Sequence, residues 1–163
     1  MNQAVSGVAD SAAPNLSAEP DTPAVIASLV QRHGAQWVDE RTLDDWIHGG
    51  GDRVLLLAGD PVRFPEGLDV AVVLPEILRA MPGRFAMGVA RRSAEGAVAQ
   101  RLGANRWPSL VFVRDGRYVS TLAGMHDWNV FVTRVQEILA MEPTRIPGIG
   151  IAVVSADAGA GCA

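Results

Sequence analysis

Residues 102–117, Leu-Gly-Ala-Asn-Arg-Trp-Pro-Ser-Leu-Val-Phe-Val-Arg-Asp-Gly-Arg, constrain the fold more than any other part of this chain. Gly103 is a helix stop, Trp107-Pro108 a turn, residues 110–113 a continuous apolar run, and Asp115-Gly116 a tight turn. Asp-Gly favours two-residue hairpins because both central positions tolerate positive φ. Proline has no N–H to give to a ladder, so it belongs to the approach to the strand and not its interior. The stretch therefore reads as helix, turn, strand, hairpin, with residues 118–122 as the returning strand.

The remaining elements follow from periodicity and stop signals. Thr22 followed by Pro23 starts a helix whose stripe is Val25, Ile26, Leu29 and Val30, ending at Gly34. Gln36-Trp37-Val38 is a short strand; Thr42 caps a short helix with Leu43, Trp46 and Ile47 inward, closed by Gly49-Gly50-Gly51. Residues 53–58 carry Val54-Leu55-Leu56-Leu57, the pattern of a strand covered on both faces. A loop over 59–67 leads to a helix over 68–81, where Pro75 is expected to produce a kink. Residues 85–90 form another buried strand, and Ser93 caps a helix running to Leu102. Asp127 caps a last helix with Trp128, Phe131, Val132, Val135, Ile138 and Leu139 on one face, stopped by Pro143 and Pro147. The order α, β, α, β, α, β, α, β, β, α predicts an α/β fold: a mixed central sheet flanked by helices on both faces.

With 163 residues, 48% of them hydrophobic, the chain has enough apolar material for one core. That core is assigned to residues 23–142, between a flexible leader, 1–22, and a C-terminal tail, 143–163. Residues 149–154 of the tail are apolar enough to add to a sheet edge. A net charge of -4 without a basic cluster argues against a nucleic-acid surface. No window has the length and apolarity for membrane insertion, and the N-terminus has neither a basic start nor an apolar core, so a cytoplasmic location is expected. His33, His48 and His126 are scattered and Cys162 is the single cysteine, so no metal site, internal disulfide or cofactor is expected. No catalytic residue is assigned either. His126-Asp127 lacks a neighbouring nucleophile and fits a helix start, His33 and His48 sit at helix ends, and Arg91-Arg92 reads as a solvated edge. Cys162 reads as an incidental thiol, a thiol oxidoreductase acting through it being the enzymatic alternative.

From residue 54 to 139 the pattern resembles thioredoxin. Trp107-Pro108 takes that family's cis-proline place, Asp115-Gly116 its hairpin turn, Gly124 the glycine closing the last strand, and Pro75 the proline of the active-site helix. The resemblance makes Pro75, Pro108, Gly116 and Gly124 structural positions. Counting back from Pro75, the family's Cys-x-x-Cys falls on Gly67-Leu68-Asp69-Val70, and its buried acid falls on Leu57. Thiol–disulfide chemistry needs a thiolate at that helix start, and none is present.

The chain also resembles a branch of thioredoxin-like proteins without the cysteines, the hydrogenase-expression family called HyaE, HupG or HoxO. The first helix and Trp37 strand carry the likeness. So do Gly59-Asp60-Pro61-Val62-Arg63-Phe64-Pro65-Glu66, Asp69-Val70-Ala71-Val72-Val73-Leu74-Pro75-Glu76 and Arg106-Trp107-Pro108-Ser109-Leu110, and it extends over residues 23–150. The resemblance implies a non-catalytic chaperone or assembly factor for an uptake nickel–iron hydrogenase. Its partner would be the hydrogenase small-subunit precursor, which bears a twin-arginine signal peptide, alone or with other hydrogenase maturation factors. A thioredoxin-like scaffold subunit of another complex is the alternative.

Trp107 and Pro108 are candidates to border a groove for an extended polypeptide, because backbone beside a cis-proline is free to pair. Asp60, Glu66 and Asp69 are candidates to meet the arginines of a signal peptide, the other reading being solvated acids near a helix start. Phe64 is either a small satellite of the core or an exposed anchor.

Overall fold

A computed structural model of the chain describes residues 17–148. The elements are α1 (Ala24–His33), β1 (Gln36–Val38), α2 (Leu43–Ile47), β2 (Asp52–Leu57), α3 (Glu66–Ala80), β3 (Ala86–Ala90), α4 (Glu95–Arg101), β4 (Ser109–Arg114), β5 (Arg117–Ala123) and α5 (Trp128–Leu139). The sheet order is β1-β3-β2-β4-β5. β1, β3 and β2 are parallel; β4 runs antiparallel to β2, and β5 to β4. This is the thioredoxin-like α/β arrangement, and Trp107-Pro108, at the entry to β4, is a cis peptide.

Alternation along β2 separates two cores. Val54 and Leu56 face α1, α3 and α5, with Leu29, Val70, Leu74, Ile77, Phe131 and Val135. Leu55 and Leu57 face α2 and α4, with Leu43, Trp46, Val98, Ala99 and Leu102. A strand with helices on both faces has no water-facing side, which is why β2 reads as an unbroken apolar run. Asp115 and Gly116 turn the β4–β5 hairpin at φ 49° and 81°, and the Asp115 carboxylate accepts the N–H of Gly51 at 2.8 Å.

Several helix starts differ from expectation. α1 begins after Pro23 without a side-chain cap, so Thr22 does not cap it. Thr42 stands at the N-cap position of α2 but makes no side-chain cap bond; the capping carboxylate is that of Asp39. Its Oδ1 accepts the N–H groups of Arg41 and Thr42, while Thr42 Oγ1 accepts the N–H of Asp39. This reciprocal pairing satisfies donors on both sides of the turn. Ser93 caps nothing: its hydroxyl bonds Glu19, and α4 begins after Ala94 without a side-chain cap. α3 begins at Glu66, two positions before the expected start, because Pro65 already has helical φ and ψ of -60° and -27°. The helix continues through Pro75. Asp127 precedes α5, but its side chain makes no cap bond, and Trp128 is 45% exposed instead of lying on the buried face. A first-turn residue reaches the core only if the helix axis is tangent to the sheet there, and α5 makes that contact from Phe131 onward.

Residues 17–22, counted with the leader, lie against the turn between β3 and α4: Arg91 Nη1 donates to the Ser17 carbonyl, and Glu19 accepts from Ser93. At the other end Thr144 N–H donates to the Tyr118 carbonyl at 2.7 Å. The candidate edge strand at 149–154 and Cys162 lie outside the described residues.

Candidate functional site

β2 and β3 are adjacent and parallel, yet their chains leave in opposite directions. After Leu57 the chain turns toward α3 on one face; after Ala90 it turns toward α4 on the other. Such a divergence opens a crevice at the carboxyl ends of the strands, the usual place for ligands in an open α/β sheet. A pocket partly open to solvent lies there. Ile26, Trp37, Ala58, Phe64, Leu68 and Ala90 give it an apolar wall, residues 20–23 form one side, and Arg92 and Glu95 supply charge.

The loop over 58–65 is set by Asp60. Its Oδ1 accepts the N–H groups of Val62 at 2.9 Å and Arg63 at 3.1 Å, and its carbonyl accepts that of Phe64 at 2.7 Å. These bonds from Arg63 and Val62, with Arg92 alongside, hold the Asp60 carboxyl below the ordinary range. Asp60 is thus first a loop organiser. Phe64 then packs half-buried on Trp107, with ring centroids 6.0 Å apart and planes inclined at 30°. Both rings close over Gly59, at φ 79°, where a Cβ would lie 2.8 Å from Phe64 and 3.0 Å from Trp107. Phe64 therefore divides the site, with the pocket on one side and Trp107 on the other.

Two carbonyls flanking Trp107 are already used. Arg106 accepts the Ser109 hydroxyl at 2.7 Å, and Pro108 accepts the N–H of Gly124 at 2.8 Å. Those two carbonyls are committed inside the turn. Glu66 and Asp69 stand exposed in the first turn of α3, at the positive end of the helix dipole. Val62, next to them on the loop, is 88% exposed. Gly67 lies where a Cβ would overlap the Ala58 carbonyl, so α3 starts tight against the end of β2.

Glu95 and Arg92 were not among the expected site residues. Glu95 is 2% exposed; its Oε1 accepts the N–H of Gly59 at 3.0 Å, and Arg92 Nη1 lies 3.4 Å from Oε2. Burial pushes its carboxyl above the usual range, with Gly59, Arg92 and Ala58 pulling it part of the way back. β2 thus carries Leu57 where an acid was sought, while α4 delivers a carboxylate to the same strand end from the side. The signal was present: Glu95 occupies the i position of a stripe completed by Val98, Ala99 and Leu102. Of Arg91-Arg92, read as a solvated edge, Arg92 is exposed as expected, while Arg91 is largely covered. Arg91 lies over the Trp37 ring and 3.8 Å from Asp39, and Arg92 spans Asp60 and Glu95. His126 Nε2 contacts the Ala123 carbonyl and the ring meets Phe131 edge-on, which ties it to the start of α5.

Among the described residues no group of His, Cys, Asp and Glu could hold a metal ion, and no helix is long and apolar enough to cross a membrane.

The family model described as Hydrogenase-1 expression protein HyaE matches residues 25–131. The chain is 56% identical over 142 residues to Hydrogenase expression/formation protein HoxO of Cupriavidus necator, covering 86% of this chain and 88% of that protein. It is 39% identical over 127 residues to Hydrogenase expression/formation protein HupG of Bradyrhizobium diazoefficiens, covering 76% and 86%. A crystal structure of hupG from Rhodopseudomonas palustris CGA009 is 41% identical, with a TM-score of 0.46, over 64% of this chain and 94% of that one.

Proposed function

The chain belongs to the HyaE family of hydrogenase-1 expression proteins, and we propose that it serves there as a non-catalytic chaperone. In this reading it holds the hydrogenase small-subunit precursor, with its twin-arginine signal peptide, in the cytoplasm before export, alone or beside other hydrogenase maturation factors.

The observation that carries the proposal is the content of the α3 start. Where a thioredoxin scaffold keeps its thiols, this chain has Gly67-Leu68-Asp69-Val70, bordered by Phe64 and Trp107. Polypeptide recognition needs a few apolar anchors that shed water, surrounded by polar groups that fix register. Val62, Phe64 and Trp107 fit the first requirement. Asp60, Glu66 and Asp69 fit the second, since carboxylates make charge-assisted bonds to arginine.

Co-purification tests this reading. The tagged full-length chain retains the small-subunit precursor, and recovery drops when the signal peptide is removed. Failure to retain either form sinks the proposal and favours a scaffold role in another complex. In an insulin-reduction assay the chain is inactive; activity abolished by Cys162→Ser would overturn the non-catalytic assignment.

A further inference from the structure

Glu95 is the only charged side chain among the buried described residues, and it is not fully matched. A carboxylate has room for about four hydrogen bonds. Here the backbone N–H of Gly59 supplies a good one, Ala58 adds a second backbone donor, and Arg92 approaches only to 3.4 Å. The Arg92 guanidinium is shared, lying 3.4 Å from Asp60 as well, and its side chain is 54% exposed. Charge-assisted bonds normally close to about 2.7–2.9 Å. Arg92 thus holds a loose, surface-side position that a better-placed cation can take over. The pocket beside Glu95 is lined by Ile26, Leu68 and the rings of Trp37 and Phe64, surfaces suited to an aliphatic stem. Two guanidinium groups already lie over these rings, Arg91 on Trp37 at 5.2 Å and Arg63 on Phe64 at 5.6 Å. Asp21 adds a further carboxylate residue to the lining.

We propose that this pocket binds an arginine side chain of a partner polypeptide, the stem lying against Ile26, Trp37, Leu68 and Phe64 and the guanidinium replacing Arg92 on the Glu95 carboxylate. Arg92 then remains with Asp60. The inference rests on the reading that the partner is a polypeptide, and it places the recognised arginine on the pocket side of Phe64, away from Trp107. Arginine suits this site better than lysine because its planar fork can engage one carboxylate through two donors and also stack on an aromatic face.

The test uses the full chain, isotopically labelled, with the amide of Gly59 as reporter. The probes are the capped tripeptide leucine–arginine–leucine and its citrulline counterpart, which keeps the shape and loses the charge. The arginine peptide shifts the Gly59 amide saturably, and citrulline binds about tenfold more weakly or worse. Glu95→Gln reduces arginine-peptide affinity to the citrulline level. Arg92→Gln, which removes the resident guanidinium, tightens it several-fold. Equal binding of the two peptides, no shift with either, or weaker binding by Arg92→Gln overturns the proposal. The wider reading fails separately: if the precursor is retained while the peptide is not, only the pocket assignment falls. If the peptide binds and the precursor does not, the partner assignment falls.

Discussion

The Glu95 carboxylate accepts the backbone N–H of Gly59 at 3.0 Å, joining α4 on one face of the sheet to the loop that leaves β2 for the other. This bond fixes the inner wall of the pocket, and the burial of the carboxyl makes stability depend on one proton. Burial raises the Glu95 carboxyl above the ordinary range of a glutamate, so the folded state binds that proton more tightly than the unfolded chain does. The stabilisation is complete below the pKa of the unfolded chain's glutamate and is lost as pH rises through the raised folded-state value. Glu95→Gln keeps an acceptor for Gly59 without the charge. Thermal unfolding from pH 4 to pH 8 is expected to show the variant gaining on the wild type as pH increases. A constant difference across that range contradicts the account.

Two glycine-to-alanine exchanges in helices are expected to move stability in opposite directions. Gly96 in α4 has nothing within 4 Å of a new Cβ, so Gly96→Ala adds helix propensity and stabilises by about 0.5–1 kcal/mol. Gly67 in α3 would drive its Cβ into the Ala58 carbonyl, and backbone must shift to admit it. Gly67→Ala therefore destabilises by about 2 kcal/mol despite the same propensity gain, within the range for overpacking. Urea unfolding midpoints measure both.

Arg114 joins the end of β4 to its surroundings. Its Nε donates to Asp52 at 2.7 Å, Nη1 to the Met141 carbonyl at 2.9 Å and Nη2 to the Leu139 carbonyl at 2.7 Å. One guanidinium thus matches a partly buried carboxylate and tethers the chain at the end of α5. Arg114→Met is expected to cost about 2–3 kcal/mol, as for hydrogen bonds to charged groups. Arg114→Lys recovers little of that, because a single ammonium cannot span the three acceptors. Equal stability of the lysine variant and the wild type in denaturant unfolding counts against this.

Much of the scaffold was legible because it rests on local rules. The apolar run of β2, the Asp115-Gly116 turn and the stops at Gly34 and Gly103 each depend on residues adjacent in sequence. The helix starts were less legible. Asp39 and Thr42 form a reciprocal pair in which either residue satisfies the simple capping pattern, and only the fold shows which side chain takes the N–H groups before the helix. Trp128 matches the helical stripe but lies before α5 meets the sheet. In the site, Phe64 and Trp107 were expected and do meet, whereas Glu95 and Arg92 were passed over. A buried acid at the start of a short helix looks like a favourable first-turn charge until β2, β3 and α4 bring it against Gly59.

The contact between Phe64 and Trp107 is the part of the surface on which the proposed chaperone role most depends. The deciding measurement is calorimetric titration of the small-subunit precursor into the wild-type chain and into the Phe64→Ala/Trp107→Ala variant, with circular dichroism confirming that both unfold cooperatively. The account predicts saturable binding by the wild type and affinity at least about tenfold lower in the variant, the scale of losing an aromatic anchor. No binding by the wild-type chain, or equal affinity in a folded variant, contradicts it.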